Sequence, residues 1–384
     1  MRRIVAITGI RSEYDILYPV LKAVNEHQRL DLKVVVTGAH CADMFGRTER
    51  LVENDGFPVA ERIESLLNAN TAGSRVKSAG IQLTGLAQTI ERLKPDFILV
   101  AGDREEALTG AMCGAYMNIA VAHMCGGDYA VGNVDDSVRH AVTKLAHLHF
   151  PMSELSRRRI LRLGESPWRV HCVGNPALDR LRTTPKISRA ELSRRLGFDV
   201  ERGPLLVVLQ HVISSEMDDA RRQMTVTMRA ASSLGCKCVI IYPNSDAGSG
   251  GIGGVIEEWL PKMPFAGAFR NLPREEFVNL LRSADCLVGN SSLGILEAPF
   301  LKLPVVNIGN RQKGREHAGN VIFVPHDVGK ITKAVRRALE DRAFRMRVQK
   351  CANPFGDGHA GRRIARILSA VETGKKLLVK EMTF

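Results

Sequence analysis

The stretch 287–316, LVGNSSLGILEAPFLKLPVVNIGNRQKGRE, contains the residue types that bind a phosphate. An apolar run ends in a glycine, and Ser291 and Ser292 follow at the predicted start of a helix. Backbone N–H groups are unpaired there and the helix dipole is positive. Glu297, about one turn later, can accept hydrogen bonds from two neighbouring hydroxyls, such as those of a ribose. These residues predict an anion site, and a serine that only caps the helix is the alternative.

Three cations follow in the same stretch. Arg311, Lys313 and Arg315 come after a second predicted strand and its Gly-Asn turn. Because the carboxyl ends of parallel strands meet at one edge of a sheet, we expect these cations to converge on the same phosphate. Solvated basic residues on an ordinary surface are the alternative.

Carboxylates that can transfer protons occur in the first half of the chain. Asp103 and Arg104 directly follow an apolar run, and a carboxylate beside a guanidinium at a strand end is a candidate acid or base. A helix-capping aspartate is the alternative. Asp135 and Asp136 begin a predicted helix. We interpret Asp135 as a second candidate acid and Asp136 as a possible cap.

Metal and disulfide chemistry are weakly indicated. His147 and His149 are separated by one residue, but histidines in such positions are more often structural than metal ligands. Cys236 and Cys238 have the wrong spacing for a zinc knuckle. We therefore predict no metal, no cofactor, and eight reduced, mostly buried cysteines.

These motifs together resemble one family. GNSSLGILEA followed by NIGNRQKGRE, and HMCGGD followed by VDDSVRHAVTKLAHLH, resemble the hydrolysing UDP-N-acetylglucosamine 2-epimerases of sialic acid biosynthesis. The resemblance extends from Arg11 to the turn at 353–358. It implies an α/β fold with two Rossmann-like domains facing a cleft, as in glycosyltransferases of the B type. The implied reaction converts UDP-N-acetylglucosamine and water to N-acetylmannosamine and UDP by elimination and then hydration.

The resemblance also implies roles for single residues. Arg11, in an Arg-Ser-Glu-Tyr signature, and Arg104 are expected to bind the diphosphate. His211 follows Gln210, where the family has a proline after the histidine and this chain has Val212. Without the resemblance, a lone histidine at a strand end would be interpreted as structural. The residues that we predict to be catalytic are Asp103, Asp135, Asp128 and His211; those predicted to bind nucleotide or substrate are Arg11, Arg104, Asn244, Leu272, Ser291, Ser292, Glu297 and Arg311.

Two of these predictions come from loops. Asn244 lies in YPNSDAGSGG, which resembles a sugar- or phosphate-binding motif of the family, with a plain flexible loop as the alternative. Leu272 lies in the loop from Phe269 to Phe277, which is expected to frame the nucleobase through backbone contacts.

The chain departs from the family at Cys125. Some members have a glutamate two residues before the Gly-Gly-acid turn, and this chain has a cysteine. A thiol cannot replace an ionised carboxylate unless its pKa is lowered. Either this position is not the obligatory base, or Asp128 supplies the function.

Other functions compete with this interpretation. A sister hydrolysing 2-epimerase would act on UDP- or GDP-N,N'-diacetylbacillosamine, as in legionaminic acid biosynthesis. A non-catalytic nucleotide-sugar-binding protein would bind UDP and leave the sugar unchanged, and a glycosyltransferase would require an acceptor.

The elements that must position these residues follow a β/α alternation. Apolar runs predict strands at 4–8, 32–36, 97–101, 119–123, 205–209, 238–242, 265–268, 285–288 and 305–308, separated by helical patterns. This order predicts parallel sheets covered by helices. We predict an N-terminal Rossmann-like domain over 1–175, a nucleotide-binding Rossmann-like domain over 190–355, and a C-terminal helix in 356–384 that crosses back to the first domain.

Composition is consistent with a globular enzyme. The chain has 384 residues, of which 45% are hydrophobic and 25% charged, and this length predicts two domains. The net charge is +13, but the basic residues are scattered and only 5% are aromatic, so nucleic-acid binding is weakly supported. No apolar run is long enough for a membrane span, and the N-terminus lacks signal-peptide features. We expect a cytoplasmic homo-oligomer, either a dimer or a tetramer, whose partner is a nucleotide sugar.

Overall fold

The computed structural model describes residues 1–67, 71–129, 134–243 and 248–383. The chain divides into two compact units. The first contains Met1–Arg182 and Phe355–Phe384, and the second contains Thr183–Pro354.

The first unit is built on a parallel sheet. Within the described residues its six strands are β1 (Arg2–Thr8), β2 (Leu30–Thr37), β3 (Val59–Ile63), β4 (Phe97–Ala101), β5 (Ala120–Met124) and β6 (Leu148–Phe150). They lie in the order β3-β2-β1-β4-β5-β6, and every neighbouring pair is parallel. All residues of β4 and β5 are buried, because helices cover both faces of such a sheet.

The second unit repeats this topology. Its strands, counted over the part of the chain that the structure describes, are β7 (Leu205–Leu209), β8 (Lys237–Ile241), β9 (Ala266–Phe269), β10 (Cys286–Gly289), β11 (Val305–Ile308) and β12 (Val321–Val324). Their order is β12-β11-β10-β7-β8-β9. Numbered from one within each unit, both sheets have the Rossmann order 3-2-1-4-5-6. The predicted pair of Rossmann-like α/β domains is confirmed.

Helices connect the strands. In the first unit they are α1 (Arg11–Asn25), α2 (Glu49–Asn54), α3 (Ala72–Leu93), α4 (Glu105–Tyr116), α5 (Val134–Leu145), α6 (Glu154–Arg162) and α7 (Ala177–Thr183). The second unit contains α8 (Arg189–Leu196), α9 (Ala220–Leu234), α10 (Ser249–Trp259), α11 (Arg274–Ser283), α12 (Leu293–Leu296), α13 (Val328–Glu340) and α14 (Arg342–Lys350). The chain then returns to the first unit with α15 (Ala360–Ala370) and α16 (Lys375–Leu378).

In helix α1, the hydrophobic periodicity of the sequence corresponds to the buried face. Its buried apolar residues recur at three- and four-residue intervals and so form one face; they are Tyr14, Leu17, Val20, Leu21 and Val24. Helix α15 packs on α1. The contact is close, since a Cβ added to Gly361 would lie 2.5 Å from the Pro19 carbonyl oxygen.

Three strands were not predicted from the sequence, and each lies at the edge of a sheet. These are β3, β6 and β12. Edge strands are covered less completely, so β3 (VAERI) contains charged residues and β12 is only partly buried. Among the described residues, no helix combines the length and apolarity that a bilayer span requires.

Candidate active site

Each sheet has a topological switch point, where the strand order reverses. It lies between β1 and β4 in the first unit and between β7 and β10 in the second. Ligands of open parallel sheets bind outside the carboxyl ends of the strands at such points. Half of the twelve predicted site residues directly follow these four strands; they are Arg11, Asp103, Arg104, His211, Ser291 and Ser292.

In the first unit, Arg139 on α5 joins the loops after β4 and β5. Its Nη1 donates to the Cys125 carbonyl oxygen at 3.0 Å, and its Nη2 donates to Asp103. Its Nε lies 4.0 Å from Asp136 Oδ1. Arg139 is only 5% exposed. A buried guanidinium requires such partners, so Arg139 fixes the positions of the loops after β4 and β5 relative to α5.

Asp103 lies in a mixed electrostatic environment. Burial raises the pKa of Asp103, the charge of Arg139 opposes this, and the charges of Asp135 and Asp128 raise the pKa further. The structure therefore brings the three predicted catalytic aspartates into one electrostatic neighbourhood. A carboxyl whose pKa is raised towards neutrality is suited to exchange protons.

Cys125 has a strained backbone and an inert thiol. Its φ is +61°, in the left-handed region that non-glycine residues rarely adopt. The side chain is buried, and burial raises the pKa of the thiol to about 12. The thiol is therefore protonated at neutral pH and cannot act as an anionic base.

His123, on β5, supports the same region. Its Nε2 lies 2.8 Å from the Gly102 carbonyl oxygen, which accepts the hydrogen bond. Burial lowers the pKa of His123 to about 3, so the ring is neutral. Because Gly102 precedes Asp103, this bond helps to hold the loop after β4.

The predicted diphosphate arginines of this unit lie at helix starts. Arg11 is the first residue of α1, and Arg104 is the N-cap residue of α4. The Nε atom of Arg104 lies 3.7 Å from Glu106 Oε2. Both arginines follow strands at the switch point, β1 for Arg11 and β4 for Arg104.

In the second unit, Asn290 organises the corresponding loops. Its Oδ1 accepts the His211 N–H at 2.7 Å, and its Nδ2 donates to the His211 carbonyl oxygen at 2.8 Å. Its own carbonyl oxygen accepts from Arg311 Nη1 at 3.1 Å and from Gln312 Nε2 at 3.0 Å. The preceding Gly289 has φ +139°, and a Cβ there would lie 2.1 Å from the Leu209 carbonyl oxygen. Glycine is therefore required for β10 to end this close to β7.

The two serines lie beside this junction. Ser291 Oγ accepts the Leu293 N–H at 3.3 Å, so part of the capping alternative is realised. Helix α12 contains only Leu293–Leu296. A single turn carries little macrodipole, and the predicted contribution of a helix dipole to the anion site is therefore small. Arg311 is linked to the serine loop by a hydrogen bond, because it donates to the carbonyl oxygen of Asn290, the residue before Ser291.

His211 is neutral in this setting. It is buried, and burial together with the charge of Arg311 lowers the pKa of His211 to about 4. Its Nδ1 has no hydrogen-bond partner among the described residues. A neutral ring at neutral pH can donate from one nitrogen and accept at the other.

The remaining predicted residues are spread more widely. Glu297 is the C-cap residue of α12, and Leu272 lies between β9 and α11 with its side chain partly buried. Arg315 reaches the junction through Gln312, whose Oε1 accepts its hydrogen bond at 2.9 Å. Lys313 is exposed and lines a surface pocket of about 440 Å³. Asn244 lies outside the described residues.

His147 and His149 make structural hydrogen bonds in the core. His147 Nδ1 accepts the Val121 N–H at 3.0 Å, and His149 Nε2 lies 3.1 Å from Glu165 Oε2. Across the described ranges, no group of three or more His, Cys, Asp or Glu side chains is arranged to hold a metal ion.

Sequence reasoning assigned no role to Arg139, Asn290 or Gln312. All three are buried polar residues, and buried polar groups must be hydrogen-bonded. Their partners come from distant parts of the chain, so the sequence pattern identifies none of them. The sequence feature that could have identified them is a polar residue next to a strand end or within an otherwise apolar run.

The chain is similar over nearly its full length to proteins of known activity. The sequence model of the family described as UDP-N-acetylglucosamine 2-epimerase matches residues 22–369. A protein of Legionella pneumophila named UDP-N,N'-diacetylbacillosamine 2-epimerase (hydrolyzing) is 33% identical over 380 residues, covering 99% of each chain. A UDP-N-acetylglucosamine 2-epimerase of Neisseria meningitidis is 30% identical over 339 residues, covering 88% of each chain.

A solved structure supports the same fold. The crystal structure of a Neisseria meningitidis UDP-GlcNAc 2-epimerase bound to UDP-GlcNAc has a TM-score of 0.81 at 19% identity. The alignment covers 95% of this chain and 99% of that chain. This likeness confirms the predicted glycosyltransferase-B-like fold.

Proposed function

Because the chain belongs to the UDP-N-acetylglucosamine 2-epimerase family, we propose that it is a hydrolysing 2-epimerase of a UDP-linked 2-acetamido sugar. The observation that carries this proposal is the similarity along almost the whole chain, which includes both units. The position of Asp103 after β4, at the switch point of the first unit, and of Ser291 and Ser292 after β10, at that of the second, supports the proposal.

The proposed chemistry is an elimination followed by a hydration. A carboxylate removes the proton from C2 of the sugar while the C1–O bond breaks and UDP leaves. Water then adds to the resulting glycal, with its oxygen bonding to C1, and a proton returns to C2 from the opposite face. The free sugar is thereby inverted at C2.

We assign the proton transfers to the first unit. Asp103 and Asp135 exchange protons with C2 and with water. Asp128 supplies the carboxyl that some family members have at the position of Cys125. The raised pKa of Asp103 supports this assignment, since a carboxyl that titrates nearer neutrality can both accept and return a proton.

We assign the leaving diphosphate to the arginines and the serine loop. Arg311, Arg11 and Arg104 stabilise the charge that develops as UDP departs. Ser291 and Ser292 bind the phosphates, with neutral His211 donating a hydrogen bond beside them. Glu297 binds the ribose, Leu272 frames the base, and Asn244 contacts the sugar or a phosphate.

The relatives support two substrates. UDP-N-acetylglucosamine is the first, giving N-acetylmannosamine, and it is the substrate named for the Neisseria relative. UDP-N,N'-diacetylbacillosamine is the second, and the higher identity and coverage of the Legionella relative favour it. This sugar carries a 4-acetamido group and lacks the 6-hydroxyl.

One experiment separates these functions. Purified protein is incubated with each UDP sugar, and with GDP-N,N'-diacetylbacillosamine, in the absence of an acceptor, and products are followed by NMR. We expect UDP and a free sugar of inverted C2 configuration from one UDP sugar. Binding without turnover would instead indicate a nucleotide-sugar-binding protein, and release only with an added acceptor would indicate a glycosyltransferase.

A further inference from the structure

Two buried glutamates lie beneath the switch point of the first unit. Glu13 is in the first turn of α1 and Glu106 is in the first turn of α4. They are 7% and 3% exposed, respectively. Buried carboxylates are rare unless they are paired, and the reaction proposed above uses neither of them.

The pair contacts both loops of the switch point. Glu13 Oε2 accepts the Gly9 N–H at 2.8 Å. Glu106 lies directly against Gly9, where an added Cβ would be 1.8 Å from Glu106 Oε1. On the other side, Glu106 Oε2 lies 3.7 Å from Arg104 Nε. The two carboxyls therefore connect the loop that precedes Arg11 with the residue Arg104.

The charges that face the pair do not balance two carboxylates. Arg104 is the facing cation, while Arg75 is occupied by an ion pair with Glu105 at 2.9 Å. Thr8 also faces Glu13, and its hydroxyl lies 3.1 Å from Nε2 of His40, which burial keeps neutral by lowering its pKa to about 4. Glu13 Oε1 and Glu106 Oε2 are buried and have no hydrogen-bond partner among the described residues.

Two unprotonated carboxylates in this position would be costly, because burial disfavours the charged form and like charges repel. Burial raises the pKa of Glu13, and the charge of Glu106 raises it further. Burial also raises the pKa of Glu106; the charge of Arg104 opposes this shift and the charge of Glu105 adds to it.

We propose that Glu13 and Glu106 hold one proton between them and act as positioning residues for the two loops that carry Arg11 and Arg104. In this arrangement Glu13 carries the proton, and Glu106 remains ionised beside Arg104. The positioning role rests on the proposed function, in which these arginines bind a diphosphate. The shared proton does not depend on that function.

The proton is tested by stability as a function of pH in the full chain. An unfolded glutamate titrates near its ordinary pKa of about 4.3. The folded pair keeps its proton at higher pH, so its contribution to stability decreases as pH rises from that value towards the raised folded pKa. Glu13→Gln mimics the protonated form and cannot ionise. We expect the urea midpoint of this variant, relative to that of the wild type, to increase as pH rises.

Glu154→Gln is the matched control, because Glu154 is also a first-turn glutamate of the first unit but is ion-paired with Arg157 at 2.9 Å, away from the pair. This control should not gain on the wild type with rising pH. The shared proton is rejected if Glu13→Gln keeps the wild-type pH dependence. The shared proton is also rejected if Glu13→Gln does not fold, because a site that holds a protonated Glu13 should accept glutamine.

Positioning is tested by UDP binding at one pH. Glu106→Gln removes the charge beside Arg104, and Gly9→Ala displaces the Glu106 carboxylate without changing any charge. We expect both variants to bind UDP roughly tenfold more weakly, the scale of one charge-assisted contact. KM should rise by more than kcat falls, and the control Glu154→Gln should bind UDP like the wild type.

The positioning role is overturned if both variants bind UDP like the wild type. A failure of the proposed function looks different, since the wild type itself would not bind UDP. The pH dependence of Glu13→Gln would still report the shared proton in that case.

Discussion

At the scale of single residues, Arg139 is the cation that contacts the candidate catalytic group Asp103. It donates to Asp103 and to the Cys125 carbonyl oxygen, and it approaches Asp136. Its charge opposes the upward shift that burial imposes on the pKa of Asp103. The net effect is a raised pKa for Asp103, and a raised pKa suits a group that accepts and then returns a proton.

The aspartates can be tested by isosteric substitution. Asp103→Asn and Asp135→Asn retain size and hydrogen-bonding capacity but cannot ionise. We expect turnover to fall by about 100-fold or more, the usual scale of general acid–base catalysis, with UDP affinity retained. Asp136→Asn, in the adjacent position, is the control and should keep most activity. Wild-type turnover in both Asp103→Asn and Asp135→Asn would reject the assignment.

Cys125 should be dispensable for the chemistry. Burial keeps its thiol protonated by raising the pKa to about 12, and the contact with Arg139 uses the backbone carbonyl, which any residue supplies. Cys125→Ser should therefore retain most turnover, whereas Asp128→Asn should lower it more. An inactive Cys125→Ser with active Asp128→Asn in the same steady-state assay would show that the thiol has a chemical role.

At the scale of elements, the loop between β10 and α12 and the loop after β11 form one bonded unit through Asn290. The same asparagine clamps the backbone of His211 after β7. Three strand ends are thus tied to one residue, Asn290, through its buried side chain and its backbone carbonyl oxygen. Such a junction can present Ser291, Ser292 and Arg311 in a fixed arrangement before any ligand binds, which lowers the entropic cost of binding.

UDP affinity should depend on this junction. We expect Arg311→Ala, and Ser291→Ala combined with Ser292→Ala, each to weaken UDP binding by roughly 1.5–3 kcal/mol, the value of hydrogen bonds to a charged group. Lys313→Ala removes an exposed cation from the same loop and should have a smaller effect. Calorimetry that finds unchanged UDP affinity in the serine and Arg311 variants would remove the proposed phosphate site.

At the scale of the whole molecule, the sequence was most informative where burial is complete. Strands β4 and β7 are apolar throughout and lie inside their sheets, and both were predicted with their observed bounds. The edge strands β3, β6 and β12 were missed: β3 is partly exposed and contains charged residues, and β6 and β12 span only three and four residues. The loops that carry Asp103 and Ser291 could be located because a parallel sheet places ligands at strand ends.

The polar networks within the units could not be predicted. Asp103 and Arg139 are 36 residues apart, and His211 and Asn290 are 79 residues apart. Hydrophobic periodicity identifies which face of an element is buried, but it does not identify which polar group meets which across the sheet.

The most direct test of the proposed elimination is the reaction in heavy water. Purified protein is incubated in D₂O with the UDP sugar that it hydrolyses, and the free sugar is examined by ¹H NMR at C2. If the C2 proton is removed and a solvent proton returns to the glycal, the product will carry deuterium at C2, and UDP will be released in equal amount. A product that retains only protium at C2 would contradict the account.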